Sequence, residues 1–178
     1  KTMDAEWRAP EVDYDDMLNV YFQLLAASNT KNVRERLVER EDTYEKLWRQ
    51  GEVFTDSLEQ TYKEWSRADQ HRDAICDAFS AFFREYDCLV APCYPTPPPP
   101  HDHSTGDALY EGTSDEPFWR PGPRTLTMED GVTKLPYNQA VFWAALASLT
   151  KLPSTSFPVS FDTATDLLPI GLQVIGPE

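Results

Sequence analysis

Two histidines and an aspartate lie side by side in a 178-residue chain and offer the first candidate for chemistry. His101, Asp102 and His103 place two imidazoles and a carboxylate within three residues, and these groups are typical metal ligands. Neighbouring side chains on an extended segment point to opposite sides, however, and a further, distant ligand would be needed. A loop held by side-chain hydrogen bonds accounts for the cluster better, so we predict no metal site.

Two serine–lysine pairs match a pattern in which a lysine activates a serine hydroxyl for nucleophilic attack. They are Ser28 with Lys31 and Ser148 with Lys151. The first pair lies at the end of a predicted helix, and Lys151 lies in a loop just before Pro153. The three histidines could join a Ser-His-Asp arrangement, but no Gly-x-Ser-x-Gly turn is present to expose the serine. Residue chemistry alone therefore gives no self-contained active site.

Charge and glycine content exclude several classes of partner and cofactor. Sixteen basic against 30 acidic residues give a net charge of −14, and no basic cluster interrupts it, so we expect neither nucleic acid nor an anionic membrane as a partner. None of the seven glycines belongs to a phosphate-binding loop (G-x-x-x-x-G-K-[ST]) or a dinucleotide-binding loop (G-x-G-x-x-G). We interpret the acidity as a solvated surface.

The cysteines and the hydropathy pattern concern the compartment. The chain has an odd number of cysteines, and no two of them have the C-x-x-C spacing: they are Cys76, Cys88 and Cys93. We therefore expect neither a disulfide framework nor a structural zinc site. No apolar run approaches the roughly 20 residues that span a bilayer. These features predict a cytoplasmic protein.

The first half of the chain, residues 1–86, is predicted to be mainly helical. Apolar residues at three- and four-residue steps predict three helices. The first covers 13–28 and is capped by Asp13, and the second covers about 31–50. The third runs from Thr55 to about Tyr86, with a possible kink near 69–72. The last helix carries an apolar stripe that we assign to the core: Leu58, Tyr62, Trp65, Ile75, Phe79, Phe82 and Phe83.

The second half of the chain changes in character. Residues 87–91 are predicted to form a buried strand that stops at Pro92. Ten of the 15 prolines lie within 92–136, which predicts extended, irregular coil; its aromatic residues favour an ordered loop over a free linker. Residues 137–178 are predicted to form a buried helix at 137–149 and strands at 154–159 and 170–175. Helices followed by isolated buried strands predict an α/β layered fold from which several strands are missing.

Several motifs, in the same order along the chain, resemble those of the amidase signature family. They are Leu168–Pro177, which resembles its closing motif; Leu149–Pro158; Tyr86–Pro92, entered from a helix bearing Trp65 and Arg72; His101–His103; and Asp130–Gly131 ahead of Tyr137. Together they span about 65–177. The chain departs from the family pattern where Ser148 replaces asparagine, Lys151 glycine and Ser154 alanine. These departures disfavour the tRNA-dependent amidotransferase A-type subunit.

The resemblance implies the C-terminal portion of one amidase-type domain over 1–178, with a mixed β-sheet core covered by helices. The family hydrolyses amides with a serine nucleophile, a second serine in a cis peptide and a lysine, and needs no cofactor. Those residues lie in a Gly/Ser-rich stretch upstream of the part matched here. We therefore assign no catalytic residue to this chain and expect it to be inactive alone.

The implied partners are a small-molecule amide substrate and the missing N-terminal portion of the same fold. The sequence leaves open whether the chain also forms a homo-oligomer. Four residues are candidates for contact with the substrate: Cys93, Tyr94, Tyr137 and Trp143. Our first hypothesis is that the chain is part of a bacterial-type amidase that acts on small carboxamides. A non-catalytic scaffold or partner subunit, and the amidotransferase subunit, are the alternatives.

Overall fold

The computed structural model describes residues 4–28, 53–54, 56–98, 125–128, 130–136, 140–162 and 168–178. Their elements are α1 (Tyr14–Ala27), α2 (Tyr62–Phe82), β1 (Leu89–Pro92), β2 (Thr125–Thr127), β3 (Lys134–Pro136), α3 (Val141–Thr150), β4 (Ser154–Asp162) and β5 (Leu168–Ile175). The predicted α/β class is confirmed. No helix in these ranges is long and apolar enough to cross a membrane. The helix predicted at 31–50 lies outside the described residues.

Helix α1 begins at the predicted cap. The Asp13 carboxylate accepts hydrogen bonds from the backbone N–H groups of Asp15 and Asp16, at 3.0 and 3.1 Å. These bonds satisfy two donors that the first turn of a helix leaves without a backbone partner. Both aspartates also place negative charge at the positive end of the helix.

Helix α2 begins later than the predicted Thr55, because Thr61 and Glu64 form a capping box. The Thr61 hydroxyl accepts from the Glu64 N–H at 3.3 Å, and the Thr61 N–H donates to the Glu64 carboxylate at 2.7 Å. This reciprocal pair fixes the first turn. The helix then runs without interruption through 69–72, where Arg72 Nη2 lies 2.6 Å from Asp69 Oδ1.

The three helices pack together and against one face of a sheet. The residues buried between the helices and the sheet are Met17, Val20, Ile75, Phe79, Ala91, Leu146, Leu149 and Ile175. The predicted apolar stripe of α2 is only partly buried: Phe79 is 1% exposed, whereas Tyr62 is 80% exposed and stacks on Trp65. A helix that packs on one side buries only the residues on that side, so the aromatic residues of its first turn stay at the surface.

The main sheet has the strand order β1-β5-β4, and both pairings are antiparallel. Strand β1 includes Pro92, paired with Leu172, although we predicted that the strand stops there. An edge strand tolerates proline because the backbone N–H groups on its open side donate no hydrogen bond to a neighbouring strand. Val90 is 49% exposed, so the prediction of a wholly buried strand is wrong.

Strand β4 is exposed over eight of its nine residues, although we predicted buried strands in this part of the chain. Its exposed apolar side chains include Phe157, Val159 and Phe161. The helices cover β1 and β5 on one face, but they leave the other face and most of β4 uncovered. The register slips by one residue between Pro158 and Ser160, where β4 has a bulge.

Two short strands lie in the segment that we predicted to be irregular coil. Strands β2 and β3 form an antiparallel hairpin, and Leu126 pairs with Leu135. Its turn contains Asp130 and Gly131, whose φ of +69° is one that glycine adopts without strain. The Asp-Gly turn was visible in the sequence, but the prolines around it concealed the strands.

Helix α3 begins at Val141 and ends at Thr150, where Lys151 turns the chain with a left-handed φ of 59°. We predicted a wholly buried helix at 137–149, but Ala144 and Ser148 are exposed. The buried positions, Ala145 among them, face the other two helices and the sheet. The open side of α3 therefore carries the small residues Ala144 and Ser148.

Candidate functional site

A buried glutamine in the central strand joins three elements. The amide nitrogen of Gln173 donates to the carbonyl oxygen of Pro92 at 2.9 Å and to that of Trp143 at 2.8 Å. Its side-chain oxygen accepts from the Ser154 hydroxyl at 3.1 Å. Gln173 is 6% exposed, and a buried amide is stable only where its donors and acceptor are satisfied. The side chain thus fixes the end of β1, the first turn of α3 and the start of β4.

Cys93 and Tyr94 lie directly after the fixed end of β1. The Cys93 N–H donates to the Gly171 carbonyl at 3.4 Å, and both side chains are half-buried. A Cβ atom placed on Gly171 would lie 3.3 Å from the Cys93 sulfur and 3.5 Å from the Phe157 carbonyl oxygen. Gly171 therefore lets Cys93 lie close against the central strand.

Trp143 occupies the first turn of α3 and meets Phe142 edge to face, with ring centroids 5.0 Å apart. It is half-buried and packs against the main core. Because Gln173 binds the carbonyls of both Trp143 and Pro92, the structure brings two of the four predicted contact residues, Cys93 and Trp143, to one neighbourhood. Tyr94 follows Cys93, and Tyr137 lies outside the described residues.

The predicted structural explanation of His101, Asp102 and His103 also falls outside the described residues. Among the residues that the structure does describe, no group of three or more histidine, cysteine or acidic side chains is arranged to hold a metal ion. His71 instead lies 2.9 Å from Asp16 and links α2 to α1 at the surface.

The serine hydroxyls of the two serine–lysine pairs bond to carbonyls of their own helices, and Lys31 lies outside the described residues. Ser28 ends α1 and donates its hydroxyl to the Leu25 carbonyl at 2.7 Å. Ser148 donates to the Ala144 carbonyl at 2.8 Å on the exposed side of α3. A hydroxyl engaged with its own helix carbonyl is not presented to a substrate.

A groove of about 380 Å³ lies beside the C-terminal end of α3. It is lined by Cys76, Ser80, Phe83, Thr150, Lys151, Leu152, Pro177 and Glu178. The Cys76 thiol donates to the Thr150 carbonyl at 3.8 Å, and burial raises the pKa of Cys76 above that of an ordinary thiol. This thiol is therefore a weaker nucleophile at neutral pH than a free cysteine.

Comparison with known families decides the relationship. The family model described as Amidase matches residues 12–178. This chain belongs to the amidase signature family. Residues 12–178 make up nearly all of the chain, so the relationship extends beyond the motifs over 65–177 to include α1. No curated protein matches the sequence.

Solved structures agree with this amidase fold. One is an inhibitor-bound structure of a vestigial protein complex that reveals the evolutionary origins of an s-triazine catabolic enzyme, with 20% identity and a TM-score of 0.58. Another is a bacterial aryl acylamidase of the amidase signature family, with 16% identity and a TM-score of 0.53. They cover 93% and 94% of this chain, respectively, but this chain spans only 31% of each of them. The amidase fold is therefore present here in part.

Sequence reasoning missed Gln173 as a structural centre of this amidase portion. The signal was available: an amide in the apolar run Ile170-Gly-Leu-Gln-Val-Ile is a polar group in a strand otherwise suited to burial. Such a group needs partners, but the sequence does not say which carbonyls it meets. Pro92 and Trp143 are 81 and 30 residues away along the chain.

Proposed function

We propose that this chain is the C-terminal portion of an amide hydrolase that acts on small carboxamides through a serine nucleophile, with the catalytic residues outside residues 1–178. The observation that carries the proposal is the amidase family match over residues 12–178. The chemistry that the family resemblance implies needs no cofactor. Three cysteines without a disulfide are compatible with a cytoplasmic setting, which we propose as well.

In the proposed reaction, the nucleophilic serine oxygen attacks the amide carbonyl carbon. A second serine, in a cis peptide, passes the proton of the nucleophile to a lysine. Backbone N–H groups stabilise the negative charge on the carbonyl oxygen. Protonation of the amide nitrogen releases ammonia or an amine and leaves an acyl-enzyme, which water hydrolyses to the carboxylic acid and the free serine.

The open side of the sheet supports the proposal that further structure completes this portion. Side chains alternate between the faces of a strand, so Val90, Val174, Leu172 and Phe157 share the face opposite the helices. Val90 and Phe157 are 49% and 39% exposed there. Neighbouring apolar side chains exposed on a sheet are typical of an interaction surface. We propose that the N-terminal portion of the amidase fold covers this face.

We propose that this C-terminal portion forms part of the wall of the substrate pocket. Cys93, Tyr94 and Trp143 border the segment fixed by Gln173, and Tyr137 precedes α3. Half-buried aromatic side chains at such a position would limit the size of the acyl or amine group that fits. A Trp143→Ala or Tyr94→Ala variant of the complete enzyme should then accept larger amides, measured as a changed ranking of kcat/KM.

A serine-directed phosphonylating reagent tests the catalytic assignment. In the complete protein, a fluorophosphonate should abolish amide hydrolysis and leave one covalent adduct on a serine outside residues 1–178, located by mass spectrometry. The 178-residue chain alone should hydrolyse no simple carboxamide.

Three results would change the proposal. An adduct on Ser28 or Ser148 would contradict the placement of the nucleophile. Hydrolysis without any adduct would contradict the serine mechanism. Absence of hydrolysis in the complete protein would favour the alternatives, a non-catalytic scaffold or partner subunit, or an amidotransferase A-type subunit that works only in its own complex.

A further inference from the structure

We propose that Gln173 is a positioning residue: its buried amide sets the distance between the Pro92–Cys93 segment and the first turn of α3, and thereby the width of the substrate pocket. This inference rests on the proposed function for its link to substrate. The geometry itself rests on the three hydrogen bonds of one side chain.

The two donor bonds distinguish this role from plain packing. A glutamine amide has two N–H donors, and here one nitrogen serves two carbonyls from different elements at 2.8 and 2.9 Å. Backbone carbonyls of a strand edge and of a helix are fixed in direction, so the shared nitrogen holds both at once. An apolar side chain of the same volume would fill the space without holding either carbonyl.

The partners of the side chain give the amide a single orientation. Because the Pro92 and Trp143 carbonyl oxygens can only accept, the amide nitrogen must face them, and the Ser154 hydroxyl then donates to Oε1 of Gln173. Reversing the amide would place its oxygen against two carbonyl oxygens, which is repulsive. Gln173 is 6% exposed, so its burial limits the access of water to these bonds and strengthens them.

The link to substrate follows from which backbone atoms are held. Pro92 precedes Cys93 and Tyr94 directly, and Trp143 is itself a candidate contact residue. Loss of the amide would free these two walls to move relative to one another while the apolar core around Ile175 persists. The expected consequence is altered discrimination between small and large amides rather than loss of the chemical step.

The first test measures the reactivity of the Cys93 thiol in a background where Cys76 and Cys88 are serine. Gln173→Met keeps the side-chain volume and removes all three bonds, and Gln70→Met makes the same change at an exposed position of α2. We expect labelling by a thiol reagent to accelerate about tenfold in Gln173→Met and to stay unchanged in Gln70→Met. An acceleration below about twofold, with an unchanged circular dichroism spectrum, would overturn the proposal.

A second measurement needs no substitution at Gln173 and decides the matter if that variant fails to fold. In the unmodified chain, the side-chain amide protons of Gln173 should exchange with solvent far more slowly than those of Gln70, as followed by NMR. Equal exchange rates for the two amides would overturn the proposal.

Steady-state kinetics of the complete enzyme test the link to substrate. Gln173→Met should raise KM for bulky amides more than for small ones and leave kcat for small amides unchanged. An equal loss of kcat on all substrates would contradict a positioning role. If the unmodified protein hydrolyses no amide, the proposed function fails, whereas the labelling and exchange results still decide whether Gln173 holds the two walls.

Discussion

The two faces of the three-stranded sheet differ in how they are covered. On one face Ala91, Gln173 and Ile175 are buried beneath the helices, and Ile175 has no exposed surface. On the other face Val90 and Phe157, from the two edge strands, are exposed. An antiparallel sheet with one face in water usually alternates apolar and polar residues, but this sheet is apolar on its open face as well.

One face of the sheet is therefore covered by helices and the other is not. The covered face has a closed apolar core and a Gln173 amide whose donor and acceptor atoms both have partners. The open face has the composition of a core without its cover. This agrees with a chain that spans 31% of the solved structures it resembles.

Truncation of one phenylalanine in the covered core and of one on the open face should give the largest difference in the free energy of unfolding. Phe79→Ala removes a side chain that is 1% exposed in α2, and we expect it to lower the free energy of unfolding by about 3–5 kcal/mol. Phe157→Ala, at 39% exposure on β4, should cost about 0.5 kcal/mol in the chain alone. Urea unfolding followed by circular dichroism measures both.

The Phe157→Ala variant also tests whether the open face is covered in the complete protein. In the complete protein, Phe157→Ala should become several times more destabilising than in the chain alone, because its side chain would then be covered. Equal costs in the two contexts would show that the open face is a true surface.

The sequence predicted the elements better than their surroundings. The cap at Asp13 is local, so the start of α1 was readable, and the Thr61-x-x-Glu64 capping box was equally local although Thr55 was preferred. Burial was harder to predict. Strand β4 carries Phe157, Val159 and Phe161, but the exposure of these side chains depends on what lies beside the strand, and no pattern within the strand records that.

The candidate site shows the same limit. Cys93 and Tyr94 were chosen because they lie in the Pro-rich loop, and Trp143 because it lies on the helix predicted to be buried. Their connection through Gln173 depends on contacts between residues far apart in the chain, which no local pattern specifies.

A close contact at Gly171 offers the next largest effect. Gly171→Ala would place a methyl group 3.3 Å from the Cys93 sulfur, and we expect a loss of about 1–2 kcal/mol in unfolding free energy. Adding Cys93→Ala should remove most of that loss, because the other neighbouring atoms, the Phe157 carbonyl oxygen at 3.5 Å and the Cys93 Cβ at 3.8 Å, lie at ordinary contact distance. A double-mutant cycle measures the coupling, and strict additivity would contradict the contact.

Loss of the α1 cap should have a smaller effect. Asp13→Ala leaves the N–H groups of Asp15 and Asp16 without their side-chain acceptor, and we expect a cost of about 1 kcal/mol. Asp13→Asn keeps an acceptor and should cost less. Because α1 covers the closed face of the sheet, the loss should appear in the unfolding of the whole helical layer. An unchanged urea midpoint in Asp13→Ala would contradict the capping role.

The hairpin β2–β3 should give the smallest and most local effect, through its pH dependence. Asp130 accepts hydrogen bonds from the Thr133 side chain and from the N–H groups of Thr133 and Val132, and these bonds hold the pKa of Asp130 below that of an ordinary aspartate. A carboxylate with a lowered folded-state pKa stabilises the turn above its unfolded pKa. That stabilisation is lost as the pH falls through the lower, folded-state value.

The amide resonances of Val132 and Thr133 should therefore shift on acidification with a midpoint below about pH 3.9, the ordinary aspartate value. In Asp130→Asn this transition should disappear, whereas resonances of the Phe79 core should not follow it in either protein. A midpoint at the ordinary value would show that the three hydrogen bonds do not favour the charged form. Restriction of the change to the turn would show that the hairpin responds independently of both faces of the sheet, because its stability comes from its own turn rather than from the helical layer.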